Sequence, residues 1–233
     1  MIILLITLVL FLGVFLSFKI KKKKIFLQKK YAEKFVNDLD SLDYFKYTRQ
    51  LDYLNVKKYF IDNFDHQGEL AAQWDDKIGF SKDSRYYFCD GENIFEQDGI
   101  IELLKELTPV FSKMNFVCNV ENHFEVWDET NEWLNHRITV NGIEYIIFHN
   151  FKGYGWGEAP YKIAQILNME LEKQNINEQF YLVNGGNDGR LALLSYEQYQ
   201  LIYGTYKDKK WKPLEINEWA KEFDVAIEKI HYG

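Results

Sequence analysis

Residues 137–148 read RITVNGIEYIIF, two apolar, β-branched segments on either side of Asn141-Gly142. Asn-Gly accepts the positive φ angles of a two-residue type I′ turn, whose twist matches that of paired strands. Residues 137–140 and 144–148 are therefore predicted to form an antiparallel hairpin. Hairpin-type connections dominate the other strand-like segments, and helical periodicity lies between and around them. The predicted fold class is α+β, an antiparallel sheet packed by helices.

Working outward, residues 115–120 and 123–127 read as strands, and 85–89 as a short strand ended by a turn at Asp90-Gly91. Downstream, residues 159–173 are predicted helical, with Pro160 tolerated in the first turn and Ile163, Ile166, Leu167 and Leu171 facing the core. Strands at 179–183 and 190–194 are joined by the polar, glycine-rich turn 184–189. Ser195 then caps a helix over 196–203. A last helix is predicted over 214–230, with Ile216, Trp219, Phe223 and Ile227 as its buried face. Upstream, helices are predicted over 28–40, over 51–74 with a break at Gly68, and over 100–114 with a kink or restart at Pro109.

The amino-terminal end has a different character. Residues 1–18, MIILLITLVLFLGVFLSF, carry no charge, and Lys19, Lys21, Lys22, Lys23 and Lys24 follow at once. At about 1.5 Å per residue the apolar run reaches about 25 Å, near the short end of what crosses a hydrocarbon core. Snorkelling lysines make up the difference. The predicted unit is a single-pass transmembrane helix, with Ile2, Leu5, Leu8, Phe11 and Phe15 in lipid. A cleaved signal peptide fits less well, because no basic residue precedes the run and Phe15-Leu16-Ser17-Phe18 offers no small-x-small site. Basic residues stay on the cytoplasmic side, so the expected location is the inner (cell) membrane of a bacterium with the large domain in the cytoplasm. The lysine run is expected to touch anionic headgroups of the bilayer. The organisation is then an anchor at 1–18, a basic juxtamembrane segment at 19–30 and a globular domain at 31–233, with 31–80 as a candidate helical stalk.

Residues 28–233 carry 23 basic and 35 acidic side chains, a net charge of −12. That balance opposes phosphate backbones, so no nucleic-acid partner is expected. It suits a basic protein partner, although ordinary solubility charge produces the same density. Cys89 and Cys118, isolated and placed in strand-like segments, suit a reducing compartment. They form no CxxC or zinc spacing. Forty aromatic residues and only three prolines mark a packed domain.

Four local patterns compete for a functional role. His149 to Glu158 (HNFKGYGWGE) places glycines between a strand and a helix, but it lacks Gly-Lys-Ser/Thr and its Glu158 repels anions. Asn184 to Gly189, with Asn187 and Asp188, is a possible binding nest or a plain hairpin tip. Asp62, His66 and Glu69 share a face if helical, with Asp75 and Asp76 nearby, yet lack a second histidine. A Cys–His pair of Cys89 or Cys118 with His149 has no supporting motif. No cofactor or metal is expected, and no catalytic set is assigned.

Loop aromatics carry more weight, because Trp and Tyr anchor protein contacts. Trp127, Trp133, Tyr154 and Trp156, beside Glu158 and other acids, form the candidate partner-binding set together with Asn187 and Asp188. The expected function is a membrane-anchored, non-enzymatic protein-binding domain. Its Lys-, Asn- and Ile-rich, proline-poor style is similar to that of bacterial immunity proteins, which implies a basic toxin as partner. Two alternatives remain: an enzyme using His149 and nearby carboxylates on a small substrate, and a purely structural membrane-associated protein.

Overall fold

The computed structural model describes residues 26–74, 80–227 and 230–232. The anchor and its lysines lie outside them. Among the described residues no helix is long and apolar enough to cross a membrane.

The hairpin forms where the Asn-Gly signal puts it. Strands β3 (Trp133–Val140) and β4 (Ile143–Phe151) pair antiparallel through Val140 and Ile143, with Asn141 at φ 51° and Gly142 at φ 79°. Strand β2 (Val120–Asp128) adds on the β3 side and β7 (His231–Tyr232) on the β4 side, giving the order β2-β3-β4-β7. A second, three-stranded antiparallel sheet has the order β1-β6-β5, from Tyr86–Phe88, Arg190–Ser195 and Glu178–Val183.

The smaller sheet divides the interior. On one face, Tyr181, Val183, Ala192 and Leu194 pack with helix α1 (residues 26–41), α2 (Tyr53–Asp62) and α6 (Tyr196–Thr205). On the other, Phe180, Leu182, Leu191 and Leu193 join α4 (Gly99–Met114), α5 (Glu158–Lys173) and the four-stranded sheet. With both faces covered, β5 and β6 read as unbroken apolar runs and not as alternating ones. The short α3 (Gly91–Phe95) is capped by Asp90, whose carboxylate accepts from the Glu92 and Asn93 amides. Asp90-Gly91 thus starts a helix where the sequence predicts a turn.

Three other expectations need correction. Helix α2 ends at Asp62, and residues 63–74 are not helical, because Asn63 closes the helix by donating from its backbone and side chain to Tyr59 O. Helix α4 forms over the predicted range with Pro109 inside it, so the chain does not restart there. Residues 116–119 are not strand, since Asn115 at φ 55° turns the chain after α4, and β2 continues unbroken to Asp128. The last helix, α7, covers only Ile216–Glu222. Asp224 at φ 53° lets the Val225 amide bond back to Ala220 O, the reversal that ends many helices. Trp219 is buried as expected, but Phe223 and Ile227 are exposed.

Candidate functional site

Strand β2 is an edge of its sheet and unusually bare. Val120, Phe124, Val126 and Trp127 are all exposed along it. Phe124 lies under the Arg137 guanidinium, 4.5 Å from ring centre to Cζ. At the end of the strand, Trp127 is 48% exposed opposite Leu134. Half-buried Trp133 donates its indole N–H to Asp128 at 3.1 Å. The ammonium of Lys152 sits 5.4 Å from the Trp133 ring centre. Two residues on, Tyr154 is 80% exposed, with the Trp156 ring 5.3 Å away. Exposed Glu129 and Glu132 border the β2–β3 turn.

Lys152 therefore links Trp133 to the segment bearing Tyr154. Glu158 begins α5 and is half-buried. Asn187 and Asp188 lie in a 3-10 turn between β5 and β6, where Asp188 pairs with Lys210 at 3.3 Å.

The other candidates separate. His149 is exposed on β4, and its contact is the side-chain amide of Asn150 at 3.4 Å. Among the described residues no carboxylate hydrogen-bonds to it. Both cysteines are free, neither lies within a strand, and burial pushes each thiol up to about 12. Such thiols stay protonated and unreactive. Asp62 pairs with Lys58, the His66 ring stacks on Phe64, and Glu69 faces Arg190 at 3.6 Å. The helix that would align these acids is absent, and Asp75 and Asp76 lie outside the described residues.

One group of residues escaped the linear reading. His123 and Glu125 are two apart on β2, so they share a face, and Glu125 pairs across the ladder with His136 on β3. The β3 residues on that side (Leu134, His136, Ile138) are buried, so the trio points into the core face of the sheet. His123 Nε2 lies 3.0 Å from His136 Nε2 and 3.4 Å from Glu125 Oε2. Side-chain exposure is 19% for His123, 7% for Glu125 and 3% for His136.

Asp98, which precedes α4, donates its backbone N–H to Glu125 at 2.9 Å and sets its carboxylate 3.4 Å from His123 Nδ1. Burial, and then the neighbouring His123, push the His136 ring down to about 4, so it is neutral near pH 7. Burial also raises the Glu125 carboxyl, against the Asp98 amide and His123, which favour the anion. The signal in the sequence was His-x-Glu on an alternating strand, which needs the β2–β3 register to bring in His136. No family model, curated protein or solved structure matches this chain.

Proposed function

We propose that this protein is a membrane-anchored, non-enzymatic binding domain that engages a basic protein partner in the cytoplasm, in the manner of an immunity protein. The observation that carries the proposal is strand β2, which offers four exposed apolar side chains along a sheet edge that has no further partner strand among the described residues. Such an edge is a template for a partner strand unless something blunts it. Trp127, Trp133, Tyr154 and Trp156 add the aromatic anchors that concentrate binding energy. The net charge of −12 on residues 28–233 favours a partner of opposite sign and speeds its encounter. The uncharged residues 1–18 and the lysines after them support the tether.

The test is site-specific photo-crosslinking in intact cells, from full-length protein carrying a photoreactive residue at Trp127 or Tyr154. The expected result is one discrete adduct with a basic protein, lost when Phe124→Asp and Val126→Asp are introduced into the same chain. Adducts with lipid alone, or an adduct indifferent to those substitutions, would overturn the proposal.

A further inference from the structure

We infer that His123, Glu125 and His136 form a binding site for a first-row divalent cation of the zinc class. Each residue turns one ligand atom inward, and the three atoms lie within 4.8 Å of one another. On a tetrahedral ion with bonds of about 2.0–2.1 Å, two nitrogen ligands stand about 3.3 Å apart. The 3.0 and 3.4 Å separations measured from His123 Nε2 bracket that value. Two imidazoles and one carboxylate suit zinc, cobalt(II) or iron(II) and do not suit magnesium or calcium, which take oxygen ligands.

Two further features point to a cation. The first is the arrangement around the ligands. His123 presents its other ring nitrogen to Asp98, the carboxylate–histidine contact that orients an imidazole on a metal.

The second is a contrast among buried glutamates. Glu170 is paired with Lys173, and Glu178 with Arg85 and Lys46. Glu125 is nearly as buried, yet its ion-pair partners among the described residues are the two histidines alone. A buried carboxylate without a permanent cation is costly, and a divalent ion held by the same imidazoles removes that cost.

Three protein ligands leave a fourth position, which the partial exposure of His123 opens to water. Bound there, the ion ties the bare edge strand β2 to β3 and, through Asp98, to the start of α4. The inference does not depend on the partner-binding proposal, and each can fail without the other.

The experiment uses the untagged full-length protein in detergent, stripped with a chelator and titrated with Zn2+ against a chromophoric competitor. One Zn2+ per chain is expected. The unfolding midpoint should rise by about 5 °C when free Zn2+ exceeds Kd a hundredfold. Glu125→Gln and His123→Gln, close in size to the originals, should each weaken binding at least tenfold, while His149→Gln leaves it unchanged. X-ray absorption at the zinc edge on the unmutated protein reads the ligands directly and should show two imidazoles. Failure to take up one equivalent, uptake that survives both ligand substitutions, or a shell with fewer than two imidazoles overturns the site.

Discussion

The guanidinium of Arg85 lies 2.5 Å from the carboxylate of Glu178, with the arginine side chain wholly buried and the glutamate 5% exposed. Arg85 also donates to the carbonyls of Tyr44, Leu193 and Asp43, at 2.8, 3.1 and 3.2 Å. Glu178 in turn accepts from the Tyr47 hydroxyl. The pair stands where the two cores meet, since Tyr86 beside it belongs to one and Tyr87 to the other. Arg85→Met leaves the buried Glu178 carboxylate with the part-exposed Lys46, 3.2 Å away, as its remaining cation and takes the donor from three carbonyls, so it should destabilise the fold by about 3–5 kcal/mol. Urea denaturation of the two proteins measures the difference, and a loss below about 1 kcal/mol would show the pair to be dispensable.

The same pair has a pH signature. Burial raises the Glu178 carboxyl, but Arg85, the Tyr47 hydroxyl and Lys46 outweigh it and hold the group below the usual carboxylate range. A depressed folded value means that the unfolded chain binds the proton more readily, so the pair's stabilisation is complete above about pH 4.5 and is lost as pH falls through the folded value. The stability difference between wild type and Glu178→Gln should be level from pH 6 to 8 and shrink below pH 4.5. A difference constant down to pH 3 would contradict this.

Gly142 and Gly204 make a matched test of backbone conformation. A Cβ at either would touch nothing within 4 Å, but Gly142 sits at φ 79° and Gly204 lies within α6. Gly142→Ala should cost about 1–2 kcal/mol, the penalty of an L-residue in the left-handed region. Gly204→Ala should add about 0.5–1 kcal/mol through higher helix propensity. Equilibrium unfolding of both variants checks the opposite signs.

Gly91 is fixed by a close approach. A Cβ there would come within 2.0 Å of the Trp156 carbonyl oxygen. Gly91→Ala should therefore push the 154–156 segment outward and cost about 1–3 kcal/mol, as overpacking does. The displacement is read from the Trp156 indole resonance in a two-dimensional NMR spectrum, where an unmoved peak would refute it.

The proposed anchor predicts a fractionation pattern. Full-length protein should stay with the membrane pellet in high salt and alkaline carbonate and come out only with detergent. In intact spheroplasts, protease added outside should leave residues 28–233 undigested. Release by carbonate would refute the span, and digestion would reverse the orientation.

What the chain carries locally was legible. Asn141-Gly142 fixes a turn that the rest of the protein then uses, since the Asn141 side chain donates to Glu170 at 2.7 Å. Ser195 and Gln198 close a full capping box on α6, a contact between near neighbours that needs no distant partner. Helix α5 shows its buried face by spacing alone. The lengths of α2 and α7 were misjudged because apolar periodicity continued past the point where Asn63 and Asp224 turn the chain.

Sequence alone determined the α+β class, the antiparallel hairpin, the acidic balance of residues 28–233 and the uncharged run at 1–18. All of these follow from neighbours along the chain. Only the tertiary structure decided that β5 and β6 separate two cores, that Arg85 meets Glu178 ninety-three positions away, and that His136 completes a cluster begun by His123 and Glu125. Those outcomes depend on strand register and on which face of each sheet is covered. A shift of one residue would turn His136 to the opposite side of the sheet.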